Sequence, residues 1–208
     1  MIASVLRLRR VDVMALRITD PYSLHRVVYD LFEDVRDDNE KRSSVSSGIL
    51  YVDKGGDFHT RQILILSNRM PREPKHGEVD TREIPANFLD HQHYSFEVTV
   101  NPTKRDRKSR KLVALRGEDM IREWFVSKAP NSWGFSVHVP TLQINNINVK
   151  QFEKKGNLVT LGSATLLGNL SVNDREKFSR SFREGVGRGH AFGFGLLQIV
   201  PHSNPFNL

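Results

Sequence analysis

Tyr22 and His25, a tyrosine and a histidine three residues apart, are the side chains of this sequence best suited to proton transfer. Asp20 and Pro21 come just before them, and an Asp cap followed by Pro at the first helical position is typical of a helix start. On a helix this spacing places both side chains on one face, with Tyr29 next on the same side. A histidine near neutral pKa can act as acid or base, and a tyrosine can donate a proton or a hydrogen bond.

The chemistry that suits this pair is RNA cleavage by the internal 2′-hydroxyl. One group must help to remove the hydroxyl proton and another must protonate the leaving 5′-oxygen, and the reaction does not require a metal. A helix N-terminus also attracts phosphate through its free amides and its dipole. The alternative interpretation is a surface histidine beside a tyrosine at the edge of the core, and the spacing alone leaves both open.

The positive charge of the chain is concentrated in one segment, residues 103–116. The chain has 208 residues and a formal net charge of +7, with 31 Lys and Arg against 24 Asp and Glu. The segment holds seven basic residues and one acidic residue, so it carries +6 and the rest of the chain only +1. The basic residues are Lys104, Arg105, Arg107, Lys108, Arg110, Lys111 and Arg116. Because its centre lacks apolar residues, we expect a solvated loop or hairpin tip, which either binds nucleic-acid phosphates or has no partner.

A second candidate for phosphate binding is the glycine-rich segment 185–195, which has five glycines in eleven residues. Glycine lets backbone amides approach a phosphate closely, and Arg188 and His190 add polar side chains to Gly187 and Gly189. The segment lacks the Gly-Lys-Ser/Thr of a P-loop. It lies between a predicted helix and a predicted strand, whereas a dinucleotide-binding motif follows a strand and precedes a helix. The alternative is a tight connection from helix to strand that packs against another element.

Several classes of protein are excluded by composition. The chain has no cysteine, which removes disulfide scaffolds, cysteine-ligated metals and thiol catalysis. His91 and His93 could share one side of a strand, but no third ligand is readable nearby, so we predict neither a metal site nor a cofactor. No apolar run is long enough for a membrane span and the first residues do not form a signal peptide, so we expect a cytoplasmic protein without a membrane partner.

Strands outnumber helices in the predicted element order. The predicted helices cover residues 20–34, 117–128 and 172–183. The predicted strands cover residues 3–9, 48–53, 62–67, 94–100, 112–115, 134–149, 158–167 and 196–200. The apolar stripe of the first helix comprises Leu24, Val27, Val28, Leu31 and Val35.

This order favours an α+β fold with antiparallel sheets. We predict two tandem ferredoxin-like (RRM-like) domains. Residues 1–90 would carry the helix with Tyr22 and His25, and residues 91–208 would carry the basic loop and the glycine-rich segment.

Three segments, taken in order, resemble one family. They are Asp20–Arg26; Phe96–Lys104, followed by basic residues, by Val113–Leu115 and by a helix with a tryptophan; and Gly185–Leu197. In this order and spacing they resemble the CRISPR repeat-processing endoribonucleases of the CasE type, members of the RAMP superfamily.

The resemblance implies two ferredoxin-like domains and a metal-independent endoribonuclease that cuts the CRISPR precursor transcript at the base of each repeat hairpin. The product would be a mature guide RNA, and the enzyme would stay on the hairpin within a Cascade-type complex. His25 and Tyr22 match the catalytic pair of the family, with the roles of acid and base unassigned. The residues implied in RNA binding are Lys104, Arg105, Arg107, Lys108, Arg110, Lys111, Gly187, Arg188, Gly189 and His190.

One position departs from the family pattern. Relatives often carry Lys where this chain has His190, so this phosphate contact is expected to be weaker or pH-dependent, or His190 joins the chemistry. Two other functions stay open. One is a non-catalytic RNA-binding subunit of a CRISPR effector complex, and the other is a structural or protein-interaction module whose basic loop binds any polyanion.

Overall fold

The computed structural model describes residues 1–37, 39, 46–57, 59–106, 108, 110, 112–154 and 157–202. The chain forms two compact units. The first contains Met1–Ile84 together with Ala191–Gly193, and the second contains Pro85–His190 together with Phe194–Leu208. The glycine-rich segment, assigned from the sequence to the C-terminal domain, therefore contributes three residues to the first unit.

The first unit is a four-stranded antiparallel sheet with helices after its first strand. Its elements are β1 (Ile2–Arg9), α1 (Arg10–Ala15), α2 (Pro21–Asp30), β2 (Ile49–Gly56), β3 (Thr60–Ser67) and β4 (Glu78–Glu83). The strand order β2-β3-β1-β4 is that of a ferredoxin-like fold. Residues 68–77, which connect β3 to β4, hold no helix, so only the helical connection from β1 to β2 is present.

Alternation along β1 sets the face on which α2 packs. Leu6 and Leu8 point to the buried side of the sheet and are fully buried. Leu24 and Val28 of α2 lie in the same buried cluster. The helix is therefore fixed by its apolar side, and its other faces are left for Tyr22 and His25.

The second unit has the complete β-α-β-β-α-β order of a ferredoxin-like fold, with insertions. Its elements are β5 (His93–Val100), β6 (Thr103–Arg105), β7 (Leu112–Ala114), α3 (Glu118–Lys128), β8 (Phe135–Val137), β9 (Gln143–Lys154), β10 (Asn157–Val172), α4 (Arg175–Glu184) and β11 (Gln198–Pro201). The main sheet has the order β11-β5-β10-β8, and β9 pairs with β10. The strands β6 and β7 form a hairpin outside this sheet.

Four short helical turns follow β4 along the described part of the chain. They are 3-10 turns at Ala86–Leu89 and Val139–Thr141, a π turn at Ala129–Trp133 and a 3-10 turn at His190–Phe192. The prediction of an α+β fold with antiparallel sheets and ferredoxin-like topology is confirmed. Among the described residues, no helix has the length and apolar character needed to cross a membrane.

Several boundaries differ from the sequence prediction. The first long helix ends at Asp30, not Asp34, and Val35, expected on its apolar stripe, is 64% exposed. Met120 shares an apolar spacing with Ile121, Trp124 and Phe125 that predicts one buried side of α3, but its side chain is 44% exposed. The glycines at 55 and 56 favour a hairpin turn at Lys54–Asp57; the β2–β3 hairpin is present, but its turn lies later because β2 continues to Gly56 and β3 begins at Thr60.

The later elements differ too. In the strand-like segment 134–149, Pro140 predicts a bend, and the strand is indeed divided at Val139–Thr141, where Pro140 lies in a 3-10 turn. Helix α4 starts later than residue 172 and is capped by Asp174, whose carboxylate accepts from the Lys177 amide. Helix α1 and strands β4 and β6 are not predicted from the sequence.

Candidate active site and nucleic-acid interface

The start of α2 is fixed by a reciprocal capping arrangement. The Asp20 carboxylate accepts from the Ser23 amide at 2.6 Å, and the Ser23 hydroxyl oxygen accepts from the Asp20 amide at 3.0 Å. Pro21 occupies the first helical position, where its missing N–H costs no hydrogen bond. These contacts hold the first turn rigidly, and Tyr22 and His25 both lie on the first two turns.

Four aromatic rings, which we call the His25 ring cluster, come together at this turn: Tyr22, His25, Tyr29 and Phe192. The His25 ring stacks near Tyr22, with centroids 6.2 Å apart and an interplanar angle of 18°. Its centroid lies 4.1 Å from that of Tyr29 and 6.4 Å from that of Phe192. All four side chains are half-buried, so each ring is held by packing and part of each remains accessible.

Hydrogen bonds hold the cluster from both sides. The Tyr29 hydroxyl lies 2.9 Å from the Ser47 hydroxyl. The Tyr51 hydroxyl donates to the carbonyl oxygen of Ala191 at 2.9 Å, which fixes the residue before Phe192. Burial raises the pKa of Tyr51, and the neighbouring Tyr29 and Asp53 raise it further. Tyr51 therefore keeps its proton and serves as a permanent donor to this carbonyl.

The cluster offers two groups that can exchange protons, side by side on one accessible surface. The Arg26 guanidinium carbon lies 5.6 Å from the Tyr22 ring centroid and brings a positive charge to the same turn. Within the described part of the chain, no group of three or more His, Asp and Glu side chains is placed to hold a metal ion. Tyr22 and His25 are residue types that can exchange protons with a bound substrate, and Arg26 adds a positive charge beside them.

The basic segment forms a hairpin, as one of the two sequence predictions expected. Thr103–Arg105 pairs with Leu112–Ala114, and the side chains of Lys104, Arg105, Lys108 and Arg110 are exposed. The Arg105 guanidinium donates to the Arg110 carbonyl at 2.8 Å across the tip. We call this element, residues 103–114, the basic hairpin. Arg107 and Lys111 lie outside the described residues.

Backbone hydrogen bonds close the glycine-rich segment into a loop that also carries polar side chains. The Val186 amide donates to the Gly195 carbonyl at 2.9 Å, and the Gly195 amide donates to the Thr99 carbonyl of β5 at 2.8 Å. Gly195 has φ +86°, and a Cβ there would lie 2.6 Å from the Val186 carbonyl oxygen, so only glycine fits. The loop is thus a packed connection, and Arg188 at its tip is exposed.

His190 differs from Arg188 in being half-buried against Gly195. Burial lowers the pKa of His190, while the backbone groups of Val186 and Gly187 and the charge of Glu184 act against this effect. The neutral form is therefore favoured, unlike the lysine expected in relatives. A contact between a positively charged His190 and a phosphate would therefore be favoured only as the pH falls, whereas neutral His190 could still donate one N–H.

The candidate residues separate by unit. Tyr22 and His25 lie together in the first unit, whereas the basic hairpin and the residues Gly187, Arg188, Gly189 and His190 belong to the second. Phe192 of the glycine-rich segment is an aromatic residue that could stack on RNA bases or pack in the core, and its ring lies beside that of His25. The fully buried Phe194 is a core residue.

The sequence is similar to those of known CRISPR-associated proteins. A model of the family described as "CRISPR associated protein" matches residues 1–201. The CRISPR-associated endoribonuclease Cse3 of Thermus thermophilus is 31% identical over 120 residues. That alignment covers 53% of this chain and 56% of the relative, so it spans about half of each.

Solved structures are similar over almost the full length. A structure of the CRISPR endoribonuclease Cse3 bound to 19 nt RNA has a TM-score of 0.80 at 23% identity, covering 97% of this chain and 100% of that one. Cas6e from Escherichia coli str. K-12 has a TM-score of 0.71 at 19% identity, and a chain of a CRISPR RNA-guided surveillance complex has 0.70 at 18%. Both matches cover 97% of this chain and 100% of the other. At these identities the structural matches establish the fold.

Proposed function

The chain belongs to the family of CRISPR-associated proteins, and we propose that it is an endoribonuclease that cuts CRISPR precursor RNA at the base of the repeat hairpin. The observation that carries this proposal is the stacking of Tyr22 on His25 at the capped start of α2. The relative Cse3 is named an endoribonuclease, and a similar structure holds RNA. These names support the substrate class.

The reaction we propose is an internal transesterification. The 2′-oxygen of one ribose forms a bond to the adjacent phosphorus, and the bond from that phosphorus to the 5′-oxygen of the next nucleotide breaks. The 2′-hydroxyl proton passes to a base on the enzyme, and the leaving 5′-oxygen receives a proton from an acid. The products are a 2′,3′-cyclic phosphate and a 5′-hydroxyl.

His25 and Tyr22 fill the two proton-transfer roles in one of two ways. In the first, neutral His25 would accept the 2′-hydroxyl proton and the Tyr22 hydroxyl would give its proton to the leaving 5′-oxygen. In the second, protonated His25 would give its proton to the 5′-oxygen and Tyr22, as a tyrosinate, would accept the 2′-hydroxyl proton. The two assignments predict opposite pH dependence. Activity rises as His25 loses its proton in the first case and falls in the second.

In this proposal the second unit binds the RNA repeat hairpin. The exposed cations of the basic hairpin would neutralise phosphates of the RNA stem, and Arg188 would contact a further phosphate. The similarity to a chain of an RNA-guided surveillance complex supports a second role, in which the enzyme stays on its product with other Cascade-type subunits.

The test is cleavage of a CRISPR repeat hairpin RNA in the presence of EDTA. We expect cleavage by the unaltered protein and a loss of about 10²–10⁴-fold in rate for His25→Ala. His59→Ala, which removes an exposed histidine of the same unit, should cut normally. A substrate with a 2′-deoxy group at the cut site should bind but resist cleavage.

Other outcomes would select the alternatives. Cleavage that requires a divalent metal, or that survives in His25→Ala, overturns the mechanism. Tight hairpin binding without any product supports the non-catalytic RNA-binding subunit. Equal binding of the hairpin and an unrelated RNA at matched salt supports a module that binds any polyanion.

A further inference from the structure

Tyr29 has the ring nearest to His25 within the His25 ring cluster. The two ring centroids are 4.1 Å apart, against 6.2 Å for Tyr22 and 6.4 Å for Phe192. Tyr29 follows His25 by four residues on α2, a spacing at which helical side chains lie against each other. The rings are tilted by 45°, so the tyrosine limits how far the imidazole can turn.

The Tyr29 side chain is held at both of its ends. Its near end is fixed to α2, and its hydroxyl oxygen lies 2.9 Å from the hydroxyl oxygen of Ser47, just before β2. This hydrogen bond ties the helix to the start of a strand. The ring therefore cannot swing away from His25 without breaking it.

Ser47 is itself held in place by the backbone around it. The Ile49 amide donates to the Ser47 hydroxyl oxygen at 3.3 Å, and Ile49 is a buried residue of β2. The Arg69 guanidinium donates to the Ser47 carbonyl oxygen at 2.9 Å and to the Glu33 carbonyl oxygen at 2.7 Å. The position of Ser47 is thus set by the sheet and by the chain that follows α2.

Packing treats the two imidazole nitrogens of His25 differently. Nδ1 is buried, although the side chain as a whole is only half-buried. An imidazole has two nitrogens, and these are the atoms of the ring that gain or lose a proton. A buried nitrogen cannot meet an RNA strand at the surface. Any proton that His25 exchanges with RNA in this arrangement must therefore pass through Nε2.

The orientation of this ring matters because a histidine ring can face two ways. The last side-chain torsion of histidine is broad and roughly two-fold. Half a turn about it places Cε1 where Nε2 was, and a ring carbon cannot serve as the acid or the base. A neighbour that prevents this turn keeps Nε2 in position, and a misplacement of about 1 Å at a reacting group can cost about 10²-fold in rate.

We propose that Tyr29 is a positioning residue that holds the His25 ring with Nε2, and not Nδ1, toward the scissile phosphate. Tyr29 acts through His25 and takes no part in proton transfer. The proposal rests on the proposed function in taking His25 as the group that exchanges a proton with RNA. It holds for either assignment of acid and base.

The first test is single-turnover cleavage of the repeat hairpin in EDTA, with affinity for the hairpin measured separately. Tyr29→Phe keeps the ring and removes the bond to Ser47, so the rate should fall about 3–10-fold while affinity is unchanged. Tyr29→Leu removes the ring, and the rate should fall about 10²-fold. Ser47→Ala should match Tyr29→Phe, and the double variant should be no slower than either, because both remove one interaction.

A matched control removes a tyrosine hydroxyl elsewhere. The Tyr94 hydroxyl donates to the Phe88 carbonyl oxygen at 2.8 Å in the second unit. Tyr94→Phe loses a hydrogen bond of the same kind, but it should cut at the parent rate. A slower rate in Tyr29→Phe alone therefore cannot be a general effect of losing a hydroxyl.

The second test uses nuclear magnetic resonance of protein labelled with ¹⁵N in its histidine rings. His25→Ala identifies the signals of His25. When a hairpin with a 2′-deoxy group at the cut site is added, the Nε2 signal should shift more than the Nδ1 signal. In the free protein, Tyr29→Leu should shift the carbon-bound ring protons of His25, because the adjacent aromatic ring is lost.

Three results overturn the proposal. They are a parent rate in Tyr29→Phe, separate and cumulative losses in Tyr29→Phe and Ser47→Ala, and a larger shift at Nδ1 than at Nε2. Failure of the proposed function looks different. A parent protein that never cuts refutes the catalysis, while the free-protein spectra still show whether Tyr29 holds the His25 ring. If the parent cuts, His25→Ala is inactive and Tyr29→Leu cuts at the parent rate, catalysis by His25 is supported and positioning by Tyr29 is refuted.

Discussion

Replacing the four exposed cations of the basic hairpin by glutamine should flatten the salt dependence of RNA binding. The residues are Lys104, Arg105, Lys108 and Arg110, all exposed to solvent. Their strands are outside both main sheets, so the substitutions leave the cores untouched. The change removes four positive charges and one contact across the hairpin tip, from the Arg105 guanidinium to the Arg110 carbonyl.

The magnitude follows from the number of cations. Each phosphate neutralised on a duplex contributes about 0.9 to the slope of log affinity against log salt. Four contacts contribute about 3.6, so between 50 and 200 mM salt they account for a change in affinity of roughly 150-fold. The quadruple variant should lose up to that part of the slope, and its binding at low salt should weaken most.

The assay is fluorescence anisotropy with a labelled repeat hairpin at five salt concentrations. A control variant carries the same charge change away from the hairpin, with glutamine at Lys75, Arg82, Arg180 and Arg183, which are all exposed. Its slope should stay close to that of the parent. An unchanged slope in the hairpin variant, or an equal loss in the control, refutes the assignment of the basic hairpin to phosphate binding.

Two further predictions concern the second unit. Phe125 is fully buried, with its ring centroid 5.2 Å from that of Trp133, so Phe125→Ala should lower the free energy of unfolding by about 3–5 kcal/mol. Met120→Ala on the same helix should change the free energy of unfolding by less than about 0.5 kcal/mol. Equal denaturant midpoints for the Phe125→Ala and Met120→Ala variants would contradict the burial of Phe125. Because burial lowers the pKa of His190, the unfolded chain takes up a proton first as pH falls below 6.5, so stability should decrease with acidity. His190 should contribute at most about 1.4 kcal/mol per pH unit to the slope of the free energy of unfolding against pH, and His190→Gln should remove that contribution. Denaturant titrations at several pH values check this, and identical pH profiles for the variant and the parent would rule it out.

The local signals of the sequence predict the start of the proposed catalytic helix well. Asp20 and Pro21 fix where α2 begins because capping depends on neighbouring residues only. Its end is less readable. Val35 continues the apolar spacing, but the chain leaves the helix after Asp30 and that side chain is exposed.

Other elements depend on contacts that are distant in sequence. Strand β4 has Val79 as its only large apolar residue, and it forms because β1 offers a free edge for pairing. Likewise, Lys104 and Arg105 look like loop residues, yet they pair with Val113 and Leu112. Periodicity carries no information about either partner.

The candidate site divides in the same way. The Tyr22–His25 spacing is readable because both lie on one helix, but the contact with Phe192 depends on tertiary folding.

The assignment of Ala191–Gly193 to the first unit bears on how the protein is made. Domains generally fold from the N-terminal side as the chain leaves the ribosome. The carbonyl held by Tyr51 and the ring beside His25 both belong to residues that emerge after α4. A nascent chain that has released only residues 1–184 therefore carries Tyr22 and His25 without their Phe192 neighbour. Synthesis itself delays completion of the proposed catalytic centre until nearly all the RNA-binding residues are already present.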